Sequence, residues 1–190
     1  MKKSVHSRGI ITVRTITYCG LLAAISVVMA RLLSFAPVGN TRWSLDKFPL
    51  FLAGMFFGPL AGGLTGFVAD AAGSMMQYGF NPILCPPAII YGVAGGLFRY
   101  VIAKKQSVIP LAISYLIPTI VGAVLYQSAA LAWVFNSATF YEAFVVNLGA
   151  RSIQFAIVAT VEIALIYLLL RTKVFNRMGI WPPAKIERKS

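Results

Sequence analysis

Residues 48–70 read FPLFLAGMFFGPLAGGLTGFVAD, an apolar, glycine-rich stretch that is interrupted once, at Gly58-Pro59. A Gly-Pro step interrupts or ends a helix, because proline lacks an amide donor and clashes with the preceding turn. We therefore expect two helices here, 48–57 and 60–77. The first is long enough for only about half of a bilayer core of roughly 30 Å. Either it begins earlier, near Ser44, or it lies partly inside the protein.

The chain on both sides of this stretch is equally apolar. Of its 190 residues, 58% are hydrophobic and 12% are charged, and the mean hydropathy is +0.78, far from the balance of a soluble domain. The sequence therefore predicts an all-α, polytopic membrane protein: one six-helix transmembrane domain over residues 1–171, followed by a basic tail, 172–190. The apolar runs place the six spans near 13–35, 48–57, 60–77, 84–103, 108–135 and 150–170.

The basic residues predict how the bundle is oriented. Thirteen of the 17 Lys and Arg residues precede span one, follow span four or follow span six, so they lie on one side. The positive-inside rule makes that side cytoplasmic, together with both termini and the tail. The net charge of +12 thus reports membrane orientation, and no nucleic-acid partner is expected. The loops expected outside are 36–47, 78–83 and 136–149.

Three ionisable residues lie within or at the ends of the spans, where burying an unpaired charge costs several kcal/mol. Asp70 is either a structural partner of a neighbouring helix, for instance of Arg151, or a ligand or gating group. Arg151 either extends to the outer surface or faces a cavity and binds an anion. Glu162 lies midway along an apolar run, so it must be protonated, paired or turned to a polar space, which favours a structural or interface role.

The sequence lacks the motifs of a catalytic or metal site. There is no phosphate-binding loop, no HExxH and no GxSxG, and the single histidine is His6. Cys19 and Cys85 have no metal-ligand or redox spacing and are expected to be small core residues. An acid/base pair of Asp70 and Glu162 is disfavoured because the two differ in depth and no nucleophile accompanies them. We therefore predict no enzyme activity, no metal and no cofactor.

Residues 48–70 closely resemble the second and third spans of the substrate-binding S components of energy-coupling factor (ECF) vitamin transporters, the folate-specific branch in particular. Residues 20–31 are similar to the first helix of that family, and Gly79-Phe80-Asn81-Pro82 with residues 91–96 resemble its third loop and fourth helix. The resemblance implies six helices in a bacterial cell membrane and a vitamin site near the outer face.

The resemblance also implies partners. Import would be driven by two cytoplasmic ATPases acting through a transmembrane coupling subunit, while the S component itself lies in the lipid bilayer. The first helix of the family carries an AxxxA motif that docks on the coupling subunit. Gly20 and Ala24 stand at the matching positions, and glycine replaces the first alanine.

A folate ligand would need aromatic rings to stack on its pterin, a hydrogen-bonding group for the pterin edge, and cations for its glutamate carboxylates. Residue chemistry offers Tyr78, Phe80, Tyr91 and Trp133 for stacking, Asp70, Gln77, Asn81 or Asn147 for the polar contacts, and Arg42, Lys47 or Arg151 as cations. An S component for another vitamin or precursor, such as pantothenate or riboflavin, remains the alternative, and a purely structural bundle would have little reason to gather such residues on its outer side.

Overall fold

The computed structural model describes residues 12–32, 43–76, 79–105, 107–135, 137–172, 175 and 180–181. Within this part of the chain, a π-helical segment, Thr119–Tyr126, joins two helices into one rod, Val108–Phe135, and a 3-10 turn, Ser137–Thr139, precedes the last helix. The α-helices are α1 (Val13–Leu32), α2 (Lys47–Phe57), α3 (Pro59–Met75), α4 (Pro86–Lys105), α5 (Val108–Pro118), α6 (Gln127–Phe135) and α7 (Phe140–Arg171). Counting the α5–α6 rod once, the bundle has the predicted six helices.

The helices differ in their capacity to cross a membrane. Among the described residues, α1, α4, the α5–α6 rod and α7 are long and apolar enough to do so. We call the end of the bundle that carries Arg14, Lys104 and Arg171 the inner end, because the positive-inside rule assigns it to the cytoplasm. The opposite end is the outer end.

Helix α2 is a short core helix. It has 11 residues, and every residue from Pro49 to Phe56 is buried. It packs against α4, α3 and α1, and its first turn meets α7. Of the two explanations for its shortness, the structure therefore shows that α2 lies inside the protein. Gly58, with a φ of 100°, then turns the chain directly into α3, whose first residue is Pro59.

Glycines let α2, α3 and α4 pack backbone against backbone. A Cβ atom added at Gly54 would overlap the carbonyl oxygen of Gly92, and one added at Gly92 would overlap that of Gly62. Gly66 likewise faces the carbonyl oxygen of Ala88. Small residues at helix crossings allow such close approach in membranes, where van der Waals packing drives association. The sequence AGGL, which occurs at 61–64 and again at 94–97, contributes to these close contacts through Gly62, Gly95 and Gly96.

The last helix begins earlier than the sequence predicted. Its start was expected near residue 150, after an outer loop at 136–149, but α7 begins at Phe140 and contains 32 residues. No proline interrupts residues 140–149, and Gly149 costs a helix only about 1 kcal/mol. The expected loop is therefore reduced to the turn around Ser137–Thr139. At about 1.5 Å per residue, α7 is longer than a bilayer core is thick.

The π-helical segment of the α5–α6 rod was not predicted. Pro118 closes α5, and the next eight residues are π-helical before α6 resumes the α geometry. Proline removes a backbone donor and crowds the preceding turn, so the irregularity begins where the sequence would break a helix. Such segments change which side chains face the bundle.

The glycine contacts can be tested with a matched pair in α3. Gly66→Ala must push α3 away from α4, so we expect a loss of about 1–3 kcal/mol of stability, as for other overpacked cores. Gly73→Ala, in the same helix but with open space around its Cβ position, should be neutral or slightly stabilising. Thermal unfolding in detergent, followed by circular dichroism, measures both. Equal melting temperatures for the two variants would contradict the packing described above.

Candidate functional site

Glu162 of α7 caps the buried start of α2. Its Oε1 accepts hydrogen bonds from the backbone N–H groups of Lys47 (3.1 Å) and Phe48 (3.2 Å), and its Oε2 accepts one from the Tyr115 hydroxyl (2.6 Å). The side chain is 0% exposed. The first N–H groups of any helix lack partners within it, and a carboxylate there also complements the helix dipole. The predicted structural role of Glu162 is confirmed.

Asp46 precedes α2 but does not cap it, because its side chain makes no hydrogen bond to the first turn. Its carboxylate instead pairs with the Lys47 ammonium (2.8 Å) and accepts a hydrogen bond from the Ser44 hydroxyl (2.6 Å). The Ser26 hydroxyl of α1 donates to the Asp46 carbonyl oxygen (2.7 Å). The entry to α2 is thus held from α1 as well as from α7.

Asp70 of α3 belongs to the same polar cluster. The Cys85 thiol, just before α4, donates a hydrogen bond to the Asp70 carboxylate, and the Lys47 ammonium attracts it electrostatically. The suggested partnership of Asp70 with Arg151 is wrong. Among the described residues, Arg151 contacts the α5–α6 rod instead. Of the predicted binding residues, the structure therefore brings Lys47 and Asp70 together.

Tyr91 lies beneath this cluster as a core residue. It is 0% exposed, its hydroxyl donates to Thr119 Oγ1 (2.9 Å), and its ring centroid lies 5.3 Å from that of Tyr115. Both faces of the ring are taken up by protein, so Tyr91 presents no surface for stacking in this conformation. Its contacts stabilise the junction between α4 and the π-helical segment.

One face of α7 carries a line of polar residues. Positions 147, 151, 154 and 162 fall within about 80° of one another around a helix with 3.6 residues per turn. They are Asn147, Arg151, Gln154 and Glu162. Gln154 and Glu162 are buried, and Asn147 and Arg151, nearer the outer end, are half-buried. The face therefore becomes more accessible toward the outer end.

Arg151 lies against the π-helical segment. Its Nη1 donates to the carbonyl oxygen of Ala123 at 3.4 Å, a long hydrogen bond. A guanidinium carries five N–H donors, so this contact leaves donors for an anion. Arg151 is roughly 16 Å from Glu162 along α7, at 1.5 Å per residue. It therefore lies outward of the cluster that contains Lys47 and Asp70.

The loop between α3 and α4 is tied to the π-helical segment. The Ile83 N–H donates to Asn81 Oδ1 (3.0 Å), and the Tyr126 hydroxyl donates to the Ile83 carbonyl oxygen (3.1 Å). Phe80 packs edge-on against Phe67 of α3, with ring centroids 6.1 Å apart. The Asn81 oxygen thus shapes the turn, while the exposed Phe80 ring lies beside the outer part of α3.

Trp133 belongs to a second aromatic group at the outer end. It is 65% exposed, and its ring lies edge-on to Phe140 (6.3 Å), which in turn stacks with Phe144 (6.1 Å). Asn147 follows Phe144 by about one turn of α7. The group spans the outer ends of α6 and α7 and is separate from the polar cluster around Lys47.

The remaining predicted residues divide into two sets. Gly20 and Ala24 are exposed on one face of α1, and no heavy atom lies within 4 Å of a Cβ added at Gly20. Arg42, Gln77 and Tyr78 lie outside the described residues.

Sequence reasoning missed several members of the polar cluster. Tyr115, Thr119 and Cys85 lie in apolar or proline-rich segments, and no local pattern distinguishes them. One signal was present, since a carboxylate such as Glu162 in an apolar run requires donors from other helices. Within the described ranges, no group of three or more His, Cys, Asp or Glu residues is arranged to hold a metal.

A family model, a relative and a solved structure match this chain. Residues 14–175 match the family described as ECF transporter, substrate-specific component. A UPF0397 protein of Streptococcus gordonii is 32% identical over 96 residues, which cover 50% of this chain and 48% of the relative. The chain thus aligns with about half the length of that relative. The crystal structure of FolT bound with folic acid has a TM-score of 0.67 at 24% identity, over 83% of this chain and 93% of FolT, and shows the shared fold.

The cap on α2 generates a test. Glu162→Leu leaves two N–H groups and the Tyr115 hydroxyl buried without their acceptor, at about 1–3 kcal/mol for each unsatisfied group. We expect this variant to unfold at a much lower temperature than the parent. Glu162→Gln keeps an oxygen for the two N–H groups and should lose far less. If both variants melt alike in detergent, the carboxylate does not hold α2.

Proposed function

This chain belongs to the family of substrate-specific components of ECF transporters, and on that basis we propose that it binds folate in the outer half of its helix bundle for import. The family makes the chain a transporter component, an integral protein of the bacterial cell membrane and not an enzyme. The identity of the ligand, its contacts and the coupling to ATPases are the proposed parts.

The observation that carries the folate proposal is the placement of acceptor and cation at two depths of one bundle. Asp70 lies deep, next to Lys47, and Arg151 lies outward of them on α7. Folate is elongated, with a donor-rich pterin edge at one end and two carboxylates at the other. A carboxylate matches paired N–H donors, and a guanidinium matches carboxylates. The ligand would thus lie lengthwise, pterin inward.

The likeness to FolT supports the same ligand. That protein was solved with folic acid, and its fold extends over 93% of its own chain. The two chains share one helix bundle, with a TM-score of 0.67. Phe80 and Trp133 are the predicted stacking residues that the structure leaves exposed, and we propose them as the aromatic contacts.

Lys47 takes a different role from the one expected of a free cation. Its ammonium pairs with Asp46 and also attracts Asp70. We propose that it stabilises the charged form of Asp70 for the ligand, and that Arg151 binds the glutamate end of folate. In this arrangement, Lys47 acts on the ligand through Asp70.

Substitution of Arg151 tests both the identity of the ligand and its orientation in the bundle. Against folate, Arg151→Ala should weaken binding by roughly 10–100-fold, the equivalent of one lost charge-assisted contact. Against pteroate, which lacks the glutamate, the same substitution should have little effect. Arg171→Ala, an arginine of the same helix at the exposed inner end, is the matched control. Isothermal titration calorimetry measures all six affinities, those of the parent and the two variants for each of the two ligands.

The outcomes separate the parts of the proposal. Asp70→Asn should weaken folate and pteroate alike, because both carry the pterin. Equal losses for the two ligands in Arg151→Ala would contradict the proposed orientation. If the parent protein binds neither ligand but binds riboflavin or pantothenate, the transporter class stands and the folate proposal fails.

We propose further that α1 docks on a transmembrane coupling subunit, which two cytoplasmic ATPases drive. Its face with Gly20 and Ala24 is open and smooth enough for another helix to approach. Ala24→Trp should abolish co-purification with the coupling subunit and leave ligand affinity unchanged. Ala156→Trp, at an exposed position of α7, is the control and should assemble normally. Normal assembly of Ala24→Trp would contradict the docking face.

A further inference from the structure

Two aromatic residues beyond α7, Phe175 and Trp181, lie against the inner end of α2. Trp181 is only 5% exposed, and its ring lies 6.0 Å from that of Phe56. Phe175 packs on the same Phe56 ring at 4.5 Å. The N–H groups of Ile180 and Trp181 both donate to the Phe175 carbonyl oxygen, at 3.1 and 3.3 Å. These bonds hold Ile180 and Trp181 next to Phe175.

Trp181 does not behave as a membrane-interface residue. Tryptophans of interfacial belts keep one edge in the lipid headgroups, whereas this side chain is enclosed by protein and belongs to the same core as Met55 and Ile166. Its position is therefore set by contact with the bundle. A tail expected at the cytoplasmic surface thus contributes one residue to the interior.

The aromatic contacts continue across α2 to α1. Phe56 meets Phe57 edge-on at 6.3 Å, and Phe57 stacks on Tyr18 at 5.8 Å with the rings 16° apart. The Arg14 guanidinium lies 5.6 Å from the centre of the Tyr18 ring. A continuous row of rings, from Trp181 to Tyr18, therefore joins the tail to the inner half of α1. We call it the inner aromatic row.

Helix α1 lies at the edge of the bundle. Only Ala23 and Ser26 are buried along it, and it packs mainly on α3 and α2. Ser26 fastens its outer half through Asp46. Tyr18 points to the bundle, on the side of α1 away from Gly20 and Ala24, which lie about 120–160° around the helix axis. The inner aromatic row thus links the inner half of this helix to α2 and the tail, in addition to its packing on α3.

We infer that Trp181 is a positioning residue for partner docking: through the inner aromatic row it fixes how α1 presents its open face to the coupling subunit. The inference rests on the proposed docking of α1 and adds a part of the chain remote from that face. Trp181 itself touches neither the ligand nor the partner. Loss of the ring would free the inner half of α1 to tilt, while the polar cluster around Lys47 would remain.

The experiment uses the full chain, co-expressed with the coupling subunit and both ATPases. Trp181→Ala should reduce the recovered complex by about five- to ten-fold, the expected size of one lost aromatic contact. Folate affinity, measured by calorimetry, should stay within about two-fold of the parent. Trp181→Phe should restore most of the complex. Tyr141→Ala, an aromatic that is 76% exposed at the outer end, should assemble as the parent does.

A second variant tests the route and covers a failure of Trp181→Ala to fold. Tyr18→Leu removes the last ring of the row and should give the same assembly defect with normal ligand binding. In the double variant, the two effects should not add, because both break one row. Additive effects would overturn the inference.

Two further results would also overturn it: normal assembly of Tyr18→Leu, or an equal fall in assembly and ligand affinity, which would signal general destabilisation. If the parent binds no folate and assembly still depends on Trp181, the folate proposal fails and this inference stands.

Discussion

A helix that begins inside an apolar bundle must find partners for its first N–H groups, and the fold depends on how α2 does so. Glu162 supplies them from a helix 115 positions away in sequence, and Tyr115 completes its hydrogen bonds. Neither water nor lipid provides an equivalent acceptor at that depth. The carboxylate therefore fixes α2, α5 and α7 relative to one another with one side chain.

The glycine contacts hold α2 in place together with the Glu162 carboxylate. Because Gly54, Gly62 and Gly92 bring three backbones together, α2 is held along its length as well as at its start. The residues that flank the start of α2 are therefore held rigidly as well. Lys47 and Asp70, which attract each other electrostatically, accordingly lie on helices that are packed firmly together. A binding site gains affinity from such preorganisation, because less ordering is left to the ligand.

Polar groups, aromatic rings and the exposed face of α1 occupy different depths and faces of the bundle. Polar and half-buried groups occupy the outer half, with Asp70 and Arg151 at different levels, and the inner end is closed by aromatic rings. Helix α1 lies at the margin of the bundle, packed on α2 and α3 and linked to them through Ser26 and Tyr18, with Gly20 and Ala24 exposed. The proposed ligand contacts and the proposed docking face of α1 therefore lie on different parts of the bundle.

The sequence by itself determined the number of helices, the break at Gly58-Pro59, the sidedness of the charges and the family, because hydropathy, proline geometry and motif likeness are local properties. It also indicated that Glu162 needed partners. Only the tertiary structure decided which ones, and it replaced the suggested Asp70–Arg151 contact by Asp70 with Cys85 and Lys47. It likewise buried Tyr91, began α7 at Phe140 and introduced the π-helical segment. Each of these depends on side chains far apart in sequence competing for the same space or the same hydrogen bond, which no local pattern records.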